Sequence, residues 1–145
     1  MTRQFLNGDP PRARDIEALT EFAEDALDRA LKTVDITGWD KAVATSKTFR
    51  TLARLAGSAP SAAGPRALRQ LTRTGLHQLI GFIRHIPSNA LAAMDGVDSR
   101  RAEQLLAGAI VAEVAMNRFD LDALDICPWA LREGVILRRL DVLES

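Results

Sequence analysis

The segment 44–48, Ala-Thr-Ser-Lys-Thr, holds the side chains most suited to chemistry in this sequence of 145 residues. It joins Trp39–Thr45, which predicts a short strand with the apolar residues 42–44 as its buried centre, to an amphipathic helix that we expect to open at Ser46. The N–H groups in the first turn of a helix have no partners within the helix, and the helix dipole favours an anion there. Hydroxyl groups and an ammonium group at this position suit phosphate binding by Thr45, Ser46, Lys47 and Thr48, and a capped helix start with solvated side chains is the alternative.

A basic surface continues from this segment along the predicted helix. Arg50 and Arg54 follow Lys47 by three and seven residues, so the three side chains share one helix face. Neighbouring like charges on a helix cost roughly 0.2–0.5 kcal/mol per pair, so this face should meet an anion or acidic side chains. The glycines of a P-loop are absent from the segment, which excludes that nucleotide-binding motif.

Charge is distributed unevenly along the chain, although the formal net charge is zero. Residues 41–101 carry ten Lys and Arg side chains but only two acidic ones, Asp95 and Asp98, whereas the segments 1–40 and 102–145 are both acidic. A basic middle segment indicates an anionic partner such as phosphate, a nucleotide or nucleic acid. The alternative is a solvated face whose charge is balanced by the acidic flanks.

A second junction of strand and helix follows near the end of the chain. Leu121–Cys127 predicts a strand, and Pro128–Ala130 turns the chain into a last helix that ends near Leu140. Ligands of α/β proteins bind at the carboxyl ends of parallel strands. Further candidates for ligand binding are therefore Arg132 and Gly134, with a purely structural turn as the alternative.

The sequence gives little support for a metal site or for a reactive thiol. His77 and His85 lie on one predicted helix without carboxylate or thiol neighbours at ligand spacing, so we expect no metal site. Cys127 is the only cysteine, which excludes an internal disulfide bond and favours a reducing compartment. Glu113, inside an apolar helix, is expected to be the exposed position of that helix, and a buried acid with a raised pKa is the alternative.

The order of elements indicates an α/β architecture. Predicted helices alternate with the two strands, and strands joined by helical crossovers pair in parallel. A sheet of only two strands is poorly stable, so part of the expected sheet is missing from this set of elements. The expected helices are one from Ile16 to Val34, one from Ser46 to Gly57, one from about Thr74 to Ile86, a short turn after Ser88, and one from Arg100 to about Asn117 with Ser99 as its N-cap.

Two further features of the sequence concern helix packing and membrane association. Small residues recur along the helix 100–117 at Gly108, Ala112 and Ala115, a stripe that would let another backbone approach closely. No apolar run reaches the roughly 20 residues of a membrane span, and the N-terminus lacks the pattern of a signal peptide. We therefore expect a soluble cytoplasmic protein without a membrane partner.

A family resemblance rests on three ordered blocks. Ala42–Leu55, Arg101–Ile110 and Ala130–Gly134 resemble consecutive segments of the second domain of the exopolyphosphatase and guanosine pentaphosphate phosphohydrolase (Ppx/GppA) family, and Phe5–Pro11 resembles the segment before them. The resemblance covers nearly the whole chain. Lys47 stands where many members have glycine, a departure that resembles an actinobacterial branch.

The resemblance implies a partial domain rather than a complete enzyme. Members have the actin-like ATPase fold, with two ribonuclease H-like domains around a cleft, and hydrolyse a terminal phosphoanhydride of polyphosphate or guanosine pentaphosphate with a divalent metal, Mg²⁺. Residues 1–145 would form one partial, helix-rich domain, the C-terminal part of the second domain with two main parallel strands. Thr2–Leu6 would be the last remnant of a preceding strand meander. The catalytic glutamate and the family's phosphate loops would lie upstream, so no catalytic or metal-binding residue is assigned here.

The resemblance also enlarges the set of candidate site residues. Arg101 falls on the Arg-Ala pair of the second block, where it would contact phosphate. The complete phosphate- or nucleotide-binding set is Thr45, Ser46, Lys47, Thr48, Arg50, Arg101, Gly108, Arg132 and Gly134.

Three functions are consistent with these features. The first is a hydrolase fragment that supplies a phosphate-binding wall, is inactive alone and needs the missing N-terminal domain. The second is a non-enzymatic regulatory module that binds polyphosphate or guanosine tetra- or pentaphosphate. The third, specific nucleic-acid binding, is disfavoured because Phe49 and Phe82, the aromatic residues of the basic segment, lie at core spacing. An open strand edge also predicts a tendency to form homodimers.

Overall fold

The computed structural model describes residues 2–34, 38–59, 63–64 and 67–127. Within these residues the helices are α1 (Thr2–Phe5), α2 (Ala13–Leu31), α3 (Lys47–Leu55), α4 (Arg73–Ile83), α5 (Ser88–Ala92) and α6 (Ala102–Arg118), and a 3-10 turn spans Ser99–Arg101. The strands are β1 (Val43–Ala44), β2 (Gln70–Thr72) and β3 (Ala123–Ile126). The helix-rich α/β class expected from the sequence is confirmed.

The strands form one small mixed sheet in the order β1-β3-β2. β1 pairs in parallel with β3, with Val43 opposite Asp125, so the predicted parallel pair is confirmed. β2 pairs with β3 in antiparallel orientation, and the sequence did not predict this strand. The side chain of Asp125 links β3 to β2 and to the segment before β1, because its carboxylate pairs with Lys41 at 2.5 Å and accepts a hydrogen bond from Gln70 at 2.8 Å. The hydrogen bond from Lys41, and after it the one from Gln70, lowers the pKa of Asp125 below its usual range.

Helix α6 is the centre of the core. The helices α1 to α5 all contact α6. A helix that is apolar all round is normally buried, and α6 has nine buried residues. They are Ala102, Leu105, Leu106, Ala107, Ala109, Ile110, Ala112, Val114 and Met116.

Gly108 lets helix α3 lie close to α6. A Cβ atom added at Gly108 would lie 2.6 Å from Cγ2 of Thr48, a distance that real Cβ atoms essentially never show. The close approach that the small-residue stripe predicted is confirmed at this position.

Two local predictions are wrong. Thr2–Phe5 is helical rather than the end of a strand, and the Phe5 ring packs on Phe22 of α2 with 4.8 Å between ring centroids. Ser99 does not cap α6. The side chain of Asp98 caps the 3-10 turn by accepting a hydrogen bond from the Arg100 N–H at 3.0 Å, and α6 begins only at Ala102.

The remaining helix predictions differ only at their ends. α4 begins at Arg73, with the Thr72 side chain as its cap, and ends at Ile83. The predicted last helix to Leu140 lies outside the described residues. None of the helices in the described part of the chain is long and apolar enough to cross a membrane.

Candidate phosphate-binding site

The start of α3 lies directly after β1, where the sequence placed it. Ser46 has extended backbone angles, and its hydroxyl oxygen accepts a hydrogen bond from the Phe49 N–H at 3.3 Å. The predicted helix start at Ser46 is therefore confirmed as a side-chain cap. Since the hydroxyl group uses an oxygen lone pair here, its proton is still available to donate to an anion.

A small cleft opens between α3 and the segment that leads into α6. We call it the α3 cleft, and its volume of about 20 Å³ has room for about one water molecule. Lys47 and Arg101 are exposed at this cleft, while Thr48 is half-buried. The residues that line it are Lys47, Thr48, Thr51, Val97, Asp98, Arg101, Gln104 and Leu105. Three of the predicted site residues, from two distant parts of the sequence, thus meet at one place.

The other side of α3 faces a larger and more apolar space. This β1 groove has a volume of about 460 Å³ and is lined by Trp39, Ala42, Val43, Ala44, Thr45, Ser46, Phe49, Ala115, Met116, Phe119, Leu121 and Leu124. Trp39 and Val43 are each 49% exposed along it. The predicted site residues are therefore divided, with Thr45 and Ser46 at the β1 groove and Lys47 and Thr48 at the α3 cleft.

Part of the predicted basic face is neutralised by an ion pair. Arg54, in the last turn of α3, pairs with the carboxylate of Asp95. Arg50 is half-buried, so the exposed cation of this face is Lys47. The expectation that the face meets an anion or acidic side chains is confirmed for Arg54, with Asp95 as the acidic partner. The sequence pattern did not predict that pairing, although Asp95 is one of only two acidic residues in the segment 41–101.

Asp98 adds a negative charge to the α3 cleft. Hydrogen bonding to the side chain and then to the backbone N–H of Arg100 lowers the pKa of Asp98 below its ordinary value of 3.8. The carboxylate is therefore ionised at neutral pH and opposes an anion in the cleft. Because Arg100 already pairs with this carboxylate at 3.3 Å, attraction to a phosphate at the cleft depends on Lys47 and Arg101.

The remaining candidate residues lie elsewhere. Gly108 contacts Thr48 beneath the α3 cleft and so sets the position of a cleft residue. Arg132 and Gly134 lie outside the described residues. Glu113 is not simply exposed: its side chain is 23% exposed and hydrogen-bonds Nδ1 of His77 at 2.8 Å.

No metal site is evident in the part of the chain that the structure describes. No three side chains of His, Cys, Asp or Glu there lie close enough together to hold an ion. The described residues therefore do not fit the divalent metal that the family resemblance implies.

Comparison with known proteins gives one consistent family. The model of the Ppx/GppA phosphatase family matches residues 1–143. Exopolyphosphatase 1 of Mycobacterium leprae is 52% identical over 142 residues, which cover 97% of this chain and 42% of that protein. Exopolyphosphatase 1 of Mycobacterium tuberculosis is 51% identical, with 97% and 41% covered. The mycobacterial relatives agree with the expected actinobacterial branch, and the chain spans less than half of their length.

Solved structures of this family share the fold. A Ppx/GppA phosphatase of Aquifex aeolicus has a TM-score of 0.80 at 28% identity, covering 94% of this chain and 45% of that one. An exopolyphosphatase of Cytophaga hutchinsonii has a TM-score of 0.77 at 20% identity, covering 96% and 46%; at that identity the likeness concerns the fold alone. The chain belongs to the Ppx/GppA phosphatase family and has the helix-rich α/β architecture of its actin-like ATPase fold.

Proposed function

We propose that this chain forms a phosphate-binding wall of an exopolyphosphatase-type phosphoanhydride hydrolase, with polyphosphate lying across the mouth of the α3 cleft. The observation that carries the proposal is the meeting of Lys47, Thr48 and Arg101 at this cleft, directly after a parallel strand. Similarity to mycobacterial proteins named exopolyphosphatase supports the substrate class.

The size of the cleft favours a linear polyanion over a nucleotide. A volume of about 20 Å³ cannot enclose a purine ring system. A chain of phosphates needs no enclosure, because exposed cations at the rim attract it from outside. Such contacts are screened over a Debye length of about 10 Å at 0.1 M salt, so affinity should fall steeply as salt rises.

We assign catalysis to the part of the full-length relatives that this chain does not span. The chain spans about 42% of the length of its mycobacterial relative. We therefore propose that residues 1–145 are part of the second domain and work with the N-terminal domain that the family resemblance implies. The catalytic glutamate and the Mg²⁺ ligands belong to that missing part, and the complete protein would act in the cytoplasm.

The β1 groove is the surface that we assign to this missing part. The carbonyl groups of Ala42 and Ala44 accept hydrogen bonds from Asp125 and Cys127 of the β3 side, at 3.1 and 2.9 Å. Because such bonds alternate along a strand, the N–H and C=O groups of Val43 between them point to the outer edge. Among the described residues β1 pairs only with β3. An outer edge beside an apolar groove suits a further strand of the same sheet.

A regulatory binding module is the alternative function. Lys47 and Arg101, the exposed cations at the α3 cleft, attract an anion by charge alone, and this attraction does not by itself require a second domain. Such a module would bind polyphosphate, or guanosine tetra- or pentaphosphate, without hydrolysing it. Activity of the complete protein separates the two functions, whereas a binding experiment tests the site that they share.

The site is tested by titrating the chain with polyphosphate of defined length. Replacing Lys47 and Arg101 together by alanine should weaken binding about tenfold, which corresponds to roughly 0.7 kcal/mol for each exposed contact. The matched control replaces Arg29 and Lys32, two exposed cations at the end of α2, which packs on α6. It removes the same charge and should change affinity less than about twofold.

The titration also has outcomes that contradict the proposal. If the two double variants weaken binding equally, the attraction is diffuse and the site assignment fails. If guanosine tetraphosphate binds more tightly than polyphosphate and competes with it, the preference for a linear polyanion is wrong.

A further inference from the structure

Arg54 contacts the segment 95–98, which forms one wall of the α3 cleft. It lies on α3 seven residues after Lys47, on the same helix face. Its guanidinium group pairs with Asp95, and the side chains of Arg54 and Asp95 are 35% and 92% exposed. The arginine is thus the more enclosed member of a pair that joins α3 to the segment 95–98.

Gly96 makes this contact possible. Its φ angle is +85°, in the left-handed region that glycine adopts without steric cost. A Cβ atom at Gly96 would also lie 2.8 Å from both Cζ and Nη1 of Arg54. The shape of the segment and the position of the guanidinium group therefore depend on each other.

The segment passes directly from this contact into the α3 cleft. The Val97 N–H donates to the Met94 carbonyl at 3.1 Å, which closes the turn that contains Asp95 and Gly96. Val97 and Asp98 then line the cleft. The Asp98 carbonyl accepts a hydrogen bond from the Arg101 N–H at 2.8 Å. The backbone position of Arg101 therefore follows from the position of the segment that Arg54 holds.

We propose that Arg54 is a positioning residue, whose ion pair with Asp95 holds the segment 95–98 against α3 and thereby sets Arg101 opposite Lys47. This inference rests on the proposed phosphate-binding function. It assigns Arg54 a different role from Lys47 and Arg101: its charge is committed to Asp95 and does not contact the anion.

Asp95→Asn distinguishes the two roles by the sign of its effect. If Arg54 contacted the anion, or if attraction were diffuse, removal of a negative charge would strengthen polyphosphate binding. If Arg54 positions Arg101, the same substitution weakens binding by about threefold. Arg54→Met should weaken it by a similar factor. The double variant should bind no more weakly than either single variant, because both changes remove one interaction.

The chain offers a closely matched control. Arg73 pairs with Asp120 away from the α3 cleft, and the side chains of that pair are 35% and 91% exposed. Asp120→Asn removes the same charge from an equally exposed position, where Arg73 keeps Asp122 as its second partner, and should leave binding unchanged or slightly tighter. Asp95→Glu keeps the carboxylate and should retain binding within about twofold of the original chain.

Two further readouts separate positioning from general loss of structure. In an Arg101→Ala background, Asp95→Asn should have no further effect on binding, because the residue that it positions is gone. Without any ligand, Asp95→Asn should shift the backbone amide resonances of residues 97–101, and Asp120→Asn should not.

The results decide between the inference and the function on which it rests. Equal or tighter binding by Asp95→Asn overturns the positioning role, and so do unmoved amide resonances at residues 97–101. If the original chain does not bind polyphosphate even at low salt, the proposed function fails. Shifted resonances would then show a structural contact without a role in binding.

Discussion

The two sides of helix α3 differ in what they need to be complete. On one side, the α3 cleft is small and has two exposed cations, Lys47 and Arg101, at its rim. On the other side, the β1 groove is more than twenty times as large and mostly apolar, and it lies beside the outer edge of β1. The comparison indicates that attraction of an anion needs only the cations at the α3 cleft, whereas the β1 groove leaves apolar surface exposed among the described residues.

The two surfaces differ because charges attract a ligand from a distance, whereas apolar surface contributes free energy only when another surface covers it. Charges at the rim of the α3 cleft attract an anion from solvent, so this site needs only correct positions of Lys47 and Arg101. Apolar surface contributes roughly 25 cal/mol per Å² only when it is removed from water. Trp39 and Val43 remain half-exposed and therefore contribute little until something covers them.

Catalytic activity gives the largest expected contrast between the two sides. We expect the isolated chain to release no phosphate from polyphosphate above background in the presence of Mg²⁺. Enzymes accelerate reactions by about a millionfold or more, and for phosphoryl transfer positioned metal ions and phosphate-binding groups supply most of this. Co-expression with the part of a mycobacterial relative that this chain lacks should restore release. The measurement is metal-dependent phosphate release by the purified proteins.

Two results would break this contrast. Phosphate release by the isolated chain that follows the protein through purification would show that the β1 groove needs no partner for function. A restored enzyme that is indifferent to Lys47→Ala with Arg101→Ala would show that the α3 cleft does not contact the substrate.

Gly108→Ala should have the next largest effect, because it tests the packing that supports the α3 cleft. The added methyl group would lie 2.6 Å from Cγ2 of Thr48, so the Thr48 side chain or helix α3 itself would have to shift. Overpacking of this kind typically costs about 1–3 kcal/mol, more than the roughly 1 kcal/mol that alanine gains over glycine in a helix. The free energy of unfolding, measured with denaturant, should fall.

Controls for this change come from the same chain. Gly81 lies in α4, and a methyl group added there would meet no atom of a neighbouring element within 4 Å, so Gly81→Ala should stabilise the chain by up to about 1 kcal/mol. Thr48→Ser removes the clashing methyl group and should reduce the cost of Gly108→Ala. If Gly108→Ala stabilises the chain as Gly81→Ala does, the close contact between α3 and α6 is wrong.

Local signals in the sequence were sufficient for the elements around the site. A serine before an amphipathic run predicted the start of α3, and apolar residues predicted β1, β3 and α6 in the correct order. β2 was not predicted because it has three residues and a single buried side chain, Leu71, between polar neighbours. The helical form of Thr2–Phe5 accompanies the packing of Phe5 on Phe22, a tertiary contact that no local pattern contains.

The candidate site shows the same division between local and tertiary information. The cap at Ser46 and the basic character of the α3 surface could be predicted from residue types and spacing. The pairing of Arg54 with Asp95 could not, since it depends on how the segment 95–98 folds back on α3. Charge patterns identify which cations are available, and only the fold determines which of them are already neutralised.

The smallest expected effect concerns the edge of β1, where Val43→Lys should change association more than stability. Val43 is 49% exposed, and a surface substitution of this kind changes the free energy of unfolding by about 0.5 kcal/mol or less. A lysine on an open strand edge disfavours pairing with another strand, so dimer formation and binding of a hydrophobic dye should both decrease. Leu68→Lys is the matched control, because Leu68 is 73% exposed and lies outside the β1 groove. Sedimentation and dye fluorescence measure the difference; equal responses of the two variants would mean that the β1 edge attracts partners no more than any exposed apolar residue.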